Sequence, residues 1–188
     1  MSATQRLDGL SSRIVAAHEM LESLRVPHQF GGAIALAWYR SPRATTDIDL
    51  NVTLSPHEAE PVLGALSHLG VSVSSEDRVA IERDGQARLN WDGSYLDVFF
   101  ATLALHHEMA ASAREVAFGP VRIPILSPEH LIVCKAVFDR PKDWVDIEEI
   151  LGWGTAVQWP TVLRWIDELL GTNSDQHVRL VELIGSGA

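Results

Sequence analysis

The sequence predicts an α+β chain, α/β-like in its first part, on three observations. Strand-like and helix-like patterns are interspersed over the first two thirds, whereas the last third carries helical spacing alone. Residues 86–91 and 95–100 flank Asp92-Gly93, a strong hairpin signal because Asp-Gly suits a two-residue turn between strand-like runs. Asp47-Ile48-Asp49-Leu50 alternates carboxylates with aliphatic side chains, the period of a half-buried strand.

Along the chain, residues 4–24 repeat Leu7, Leu10, Ile14, Ala17, Leu21 and Leu24 at intervals of three and four, an amphipathic helix that Pro27 closes. A brief extended piece at 28–30 meets Gly31-Gly32. Residues 33–39 read as helix until Ser41-Pro42 breaks it, so the chain enters a strand at 46–53 from a loop. Ser55 as N-cap, Pro56 at the first helical position and Glu58 completing a capping box start the next helix, which Gly70 ends. Segments 71–74 and 79–82 are strand candidates before the hairpin. Residues 103–114 read as a helix or an irregular crossover, and 115–118 with 121–126 as a strand pair around Gly119-Pro120. Ser127-Pro128-Glu129 opens an apolar helix, further helices start near Pro141 and at Trp159-Pro160, and a last one covers 175–184.

A length of 188 residues suits one domain, or one domain with a helical appendage. The pattern places a core at 1–126 and a helical region at 127–188, packed on that core. The net charge of -10 speaks against a generally basic nucleic-acid binder, while Arg122, Lys135, Arg140 and Lys142 leave room for a local basic patch. Cys134, the single cysteine, lies in an apolar run and reads as a buried, inert thiol; one cysteine supports neither an internal disulfide nor a thiolate zinc site. Charges scattered through the first helix interrupt any signal-peptide core, and no apolar stretch reaches membrane-spanning length, so the expected compartment is the cytoplasm.

The chemistry concentrates on carboxylates. In a strand, Asp47 and Asp49 share one face while Ile48 and Leu50 enter the core. Two neighbouring carboxylates repel unless a cation joins them, which points to a divalent metal. On the second hairpin arm Tyr95, Asp97 and Phe99 share a face, so Asp97 is a carboxylate in a strand of bulky apolar residues. Asp143 and Asp146, three apart on a helix, share a face just after Arg140 and Lys142. Each feature also has a plain structural reading: a solvated strand for Asp-x-Asp, a turn cap for Asp97, a tight turn for Gly31-Gly32, and an ion pair for Asp143 and Asp146. His106-His107-Glu108 reads as a surface helix start, because adjacent helical residues diverge by about 100°. Trp144, Trp153, Trp159 and Trp165 read as helix-packing residues.

Taken together, Gly31-Gly32, the segment Arg43-Ala-Thr45-Thr46-Asp47-Ile48-Asp49-Leu50, Asp97 in Leu-Asp-Val-Phe-Phe, Lys135, and Lys142-Asp143-Trp-Val-Asp146-Ile147 resemble the nucleotidyltransferase superfamily. The flavour is that of AbiEii-type toxins and minimal nucleotidyltransferases, over roughly residues 28–150. The resemblance implies a mixed sheet flanked by helices with a helical C-terminal cap. It implies a Mg²⁺- or Mn²⁺-dependent enzyme that moves NMP from an NTP such as ATP to a hydroxyl and releases pyrophosphate. Such transfer needs the phosphates neutralised, the acceptor oxygen deprotonated and both aligned with phosphorus. Two ions about 3.5–4 Å apart meet these needs when several carboxylates face one cavity.

Asp47 and Asp49 would hold the metals, and Asp97 would complete the acceptor-side position and help deprotonate the hydroxyl. Gly31 and Gly32 would bring backbone N–H groups to the phosphates at a helix start. Arg43, Thr45 and Thr46 either add donors from the loop or organise its turn. Lys135 fits the family's nucleotide-contacting lysine, and its apolar surroundings imply partial burial toward a phosphate site. The acidic helix of Asp143 and Asp146 either supports the site or forms a structural ion pair. Acceptors within the superfamily include an RNA end, a protein side chain and a small molecule such as an aminoglycoside. The alternative is a non-catalytic nucleotide-binding or regulatory module, such as one partner of a toxin–antitoxin pair.

Overall fold

Alternation of buried and half-buried residues along β2 (Asp47–Val52) organises a six-stranded mixed sheet. In the computed structural model, which describes residues 9–186, the strands are ordered β3-β4-β2-β1-β6-β5. β1 (His28–Phe30) runs antiparallel to β2 and parallel to β6 (Val121–Ile125), and β2 runs parallel to β4 (Ser94–Phe100). Antiparallel partners β3 (Gln86–Trp91) and β5 (Arg114–Phe118) complete the two edges. Ile48, Leu50, Leu96 and Val98 are fully buried on one face, as the period of two requires. The fold is α+β.

This sheet belongs to one of two units, comprising the described residues up to Ile34 together with Ala44–Ile125. Its helices are α1 (Gly9–Ser23), α3 (Glu60–His68), α4 (Ser75–Asp84) and α5 (Ala104–Ala111), with the start of α2 (Gly32–Leu36). The part of the predicted first helix at 4–8 lies outside the described residues. The Ser55 capping box forms, with Ser55 accepting from the His57 N–H and Glu58 from the Ser55 N–H, but it closes a 3₁₀ turn at Pro56–Glu58 that precedes α3. Asp92 and Gly93 both take positive φ, 47° and 81°, as a two-residue hairpin turn demands.

Two expected strands are corrected. Residues 79–82 lie inside α4, because Ser74 accepts from the Asp77 N–H at 3.1 Å, Asp77 accepts from the Ser74 N–H at 2.8 Å, and Gly85 closes the helix with φ 74°. Two good caps outweigh the strand preference of Val79 and Ile81. Residues 71–74 contribute only a bridge from Ser72 to Asn90.

The second unit comprises Ala35–Arg43 and the described residues from Leu126 onward. It holds α6 (Pro128–Phe138), α7 (Pro141–Gly152), α8 (Trp159–Leu170) and α9 (Asp175–Ser186). The helix expected over 33–39 stops at Leu36, and Tyr39 then ties this segment to the unit: its hydroxyl donates to the Leu126 carbonyl at 2.7 Å, and its carbonyl accepts from Thr155 at 3.0 Å. Trp144 and Trp165 pack inside as expected, whereas Trp153 is 66% exposed just past the end of α7. Cys134 forms no disulfide and is half-buried rather than buried, on a turn of α6 whose neighbours Val133 and Lys135 take the interior. Among the described residues, no helix is long and apolar enough to cross a membrane.

Candidate active site

Parallel pairing of β2 with β4 sets Asp49 opposite Asp97 and Asp47 opposite Tyr95. Since facing residues in register share a face of the sheet, Asp47, Asp49 and Asp97 emerge together, all half-buried, opposite the apolar core. The two threonines organise Asp47. Thr45 Oγ1 accepts from the Asp47 N–H at 3.1 Å, and the Thr46 hydroxyl donates to Asp47 Oδ1 at 3.2 Å. Of the two roles open to these hydroxyls, ordering the turn is the one with visible partners.

A fourth residue, absent from the sequence reading, joins the carboxylates. Arg88 on β3 lies opposite Asp97; its Nη1 donates to Asp97 Oδ2 at 3.0 Å and its Nη2 to Asp47 Oδ2 at 2.9 Å. The guanidinium also stacks on Tyr95, 4.3 Å from the ring centroid. Burial alone would lower the Arg88 pKa, but the hydrogen bond to Asp47 and the charges of Asp97 and Asp47 outweigh it and raise the value. Counting outward from the Asp92-Gly93 turn pairs 91 with 94 and hence 88 with 97, so the hairpin signal contained this contact.

The double glycine meets the same group of side chains. The Gly31 N–H donates to the Asp49 carbonyl at 2.9 Å. That amide is therefore committed to the sheet, which corrects the expectation that both glycine N–H groups face a phosphate. Gly32 has φ 50°, and a Cβ there would overlap the Asp49 carboxylate. Glycine at 32 thus suits the left-handed backbone, and any larger residue there would push the Asp49 carboxylate aside.

Three carboxylates on one face are a hard-oxygen donor set, and such sets suit Mg²⁺ or Mn²⁺. The Arg88 guanidinium spanning Asp47 and Asp97 marks where positive charge is favoured, a stand-in for part of the charge a metal would bring. The donor type of these residues suits a divalent ion.

The other predicted residues lie in the second unit and form a charge network of their own. Lys135 is 5% exposed, with Nζ 2.5 Å from Asp146 Oδ2 and 3.5 Å from Asp143 Oδ1. Arg140 holds Asp143 through two bonds, at 2.6 and 3.1 Å. Arg40 pairs with Glu149 and lies 3.6 Å from Asp146, as does Arg43. Burial would raise the Asp143 pKa, but Arg140 and Lys135 outweigh it and hold the carboxyl below its ordinary value. The burial inferred for Lys135 is present, and carboxylates of its own unit meet its charge.

Neither a family model nor a curated protein sequence matches the chain. Solved structures do. The antibiotic-resistance factor ANT(2'')-Ia aligns over 94% of this chain and 95% of its own, with a TM-score of 0.58 and 19% identity; it is also known in complex with adenylyl-2"-tobramycin. An antigenic nucleotidyltransferase-like protein from Paracoccidioides brasiliensis aligns over 95% and 93%, with a TM-score of 0.57 and 16% identity. The lincosamide antibiotic adenylyltransferase LnuA aligns over 77% and 96%, with a TM-score of 0.53 and 15% identity. The chain has the nucleotidyltransferase fold.

Proposed function

We propose that the chain is a metal-dependent nucleotidyltransferase that moves NMP from an NTP to a hydroxyl of a small, cationic acceptor. The observation that carries this reading is the register pairing of Asp49 with Asp97, with Asp47 on the same face and one cation, Arg88, spanning Asp47 and Asp97. Asp47 and Asp49 would hold Mg²⁺ or Mn²⁺, and Asp97 would complete the acceptor-side position. The bound ions supply charge neutralisation for the triphosphate and acidity for the acceptor hydroxyl.

Asp97 takes the proton of the acceptor hydroxyl as its oxygen bonds to the α-phosphorus. The bond from that phosphorus to the oxygen bridging the β-phosphate breaks, and pyrophosphate leaves with the electron pair. Thr45 and Thr46 hold Asp47 in position, and Gly32 lets Asp49 lie against the backbone. Arg88, released from the carboxylates, turns to the phosphates. Arg43 and Lys135 are kept as nucleotide contacts on the resemblance alone, with Asp143 and Asp146 supporting them. The catalytic core at 1–126 and the helical region at 127–188 are part of the same reading, with 35–43 joining the latter.

A net charge of -10 supports a cationic acceptor over an RNA end, whose phosphates call for many Lys and Arg contacts. The fold neighbours that act on antibiotics support the same choice. A second reading rests on Arg88: a permanent guanidinium bridge replaces the metal and leaves a non-catalytic nucleotide-binding or toxin–antitoxin module.

The test is incubation of the full chain with α-phosphate-labelled NTPs, Mg²⁺ and a panel of aminoglycosides, lincosamides, RNA ends and proteins. Label on a small cationic hydroxyl compound, lost in Asp47→Ala and Asp97→Asn, is the expected result. Label on RNA or protein overturns the acceptor. No labelled product, together with NTP binding indifferent to Mg²⁺, overturns the enzyme.

A further inference from the structure

Away from the carboxylates, the first unit holds a second group of metal-ligating side chains that the proposed reaction does not use. His18 and Glu22 are four apart on α1 and so share a face, and His28 opens β1. His18 Nδ1 and His28 Nε2 are 3.0 Å apart, and one carboxylate oxygen of Glu22 lies within 4.8 Å of a nitrogen of each ring. Both imidazoles are enclosed, at 9% and 5% exposure, while Glu22 is exposed at the rim.

We propose that His18 Nδ1, His28 Nε2 and Glu22 form a site for a borderline-soft divalent transition metal such as Zn²⁺, separate from the carboxylate site. Two nitrogens at the usual ~2.0–2.1 Å from one Zn²⁺ lie ~2.8–3.4 Å apart for bond angles from about 90° to tetrahedral. The observed 3.0 Å falls in that span.

The tautomer of His28 is also set for ligation. Its Nδ1–H donates to the Val26 carbonyl at 2.9 Å, which leaves Nε2 as the nitrogen with a free lone pair. This is the outer-shell arrangement that orients metal-bound imidazoles.

Without metal, His18 Nδ1–H donates to His28 Nε2. Ligation requires only that His18 shift to its Nε2–H tautomer. Two imidazoles and one carboxylate favour Zn²⁺ or Co²⁺ over Mg²⁺, which prefers oxygen alone. The metal would fasten α1 to β1, the strand that leads directly into Gly31-Gly32.

Co²⁺ titration of the full chain carrying Asp47→Asn and Asp49→Asn tests the proposal, because those changes remove the carboxylate site from the readout. The expected result is a saturable visible d–d band of tetrahedral intensity at one equivalent, displaced by Zn²⁺. Glu22→Gln alters an exposed side chain and leaves the fold intact. It should weaken Co²⁺ binding at least ~10-fold, no less than the loss of an outer-shell partner does. His18→Gln should abolish the band. A titration that never saturates, or an affinity unchanged in Glu22→Gln, overturns the site and leaves the nucleotidyl-transfer reading untouched.

Discussion

Arg88 is the residue whose role the metal would change most. Its side chain is about half exposed, so solvent screening limits its two ion pairs to at most ~1 kcal/mol of stability. Arg88→Ala is therefore expected to unfold within ~1 kcal/mol of the parent in urea, yet to bind Mn²⁺ more tightly and NTP more weakly. Calorimetric titration reads both affinities, and weaker Mn²⁺ binding would contradict the competition.

Gly32→Ala combines a left-handed backbone with overlap against Asp49. It should cost ~1–3 kcal/mol in urea unfolding and remove transferase activity. In the second unit, Asp146→Ala removes the nearer of two carboxylates from the buried Lys135 ammonium, leaving Asp143 at 3.5 Å, and should destabilise the chain by up to ~3 kcal/mol. Asp143 adds an acid limb to the stability curve. Its folded pKa lies below the ordinary 3.8, so its stabilisation is fully present above that value and is lost as pH falls through the folded one. Thermal unfolding across that range should show a shallower acid limb in Arg140→Ala, which lacks the main group holding Asp143 down.

At the scale of elements, sequence served best where local chemistry decides the backbone. Asp92-Gly93 fixes a two-residue turn, and the turn fixes the register of β3 with β4 that sets Arg88 opposite Asp97, whereas the long-range parallel register of β2 with β4 puts Asp97 on the face shared by Asp47 and Asp49. The caps of α6 and the proline at the start of α7 were equally plain. Sequence served worst where two local signals compete. Val79 and Ile81 favour a strand, but the reciprocal Ser74–Asp77 cap and Gly85 hold them in α4. Ser74→Ala should accordingly cost ~0.5–2 kcal/mol by urea unfolding and leave the carboxylates in place. Arg88 escaped notice because a single arginine on a hairpin carries no motif, and only the register shows that it opposes Asp97. The attachment of Ala35–Arg43 to the helical unit was illegible for a different reason: it depends on Tyr39 reaching Leu126 and Thr155, contacts distant in sequence.

For the whole molecule, the net charge of -10 is the property that bears on the proposed acceptor, since it disfavours a polyanionic partner. The predicted residues divide cleanly between the units. Gly31, Gly32, Thr46, Asp47, Asp49 and Asp97 belong with the sheet, and Arg43, Lys135, Asp143 and Asp146 with the helices. The central claim is that Asp47, Asp49 and Asp97 hold the ions that ready an NTP for transfer. Electron paramagnetic resonance of Mn²⁺, with a non-hydrolysable NTP analogue, counts those ions directly. Two bound Mn²⁺ per chain are expected in the parent at saturating analogue, and both the ions and the analogue should be lost in Asp49→Asn. Equal Mn²⁺ occupancy in parent and variant would contradict that claim.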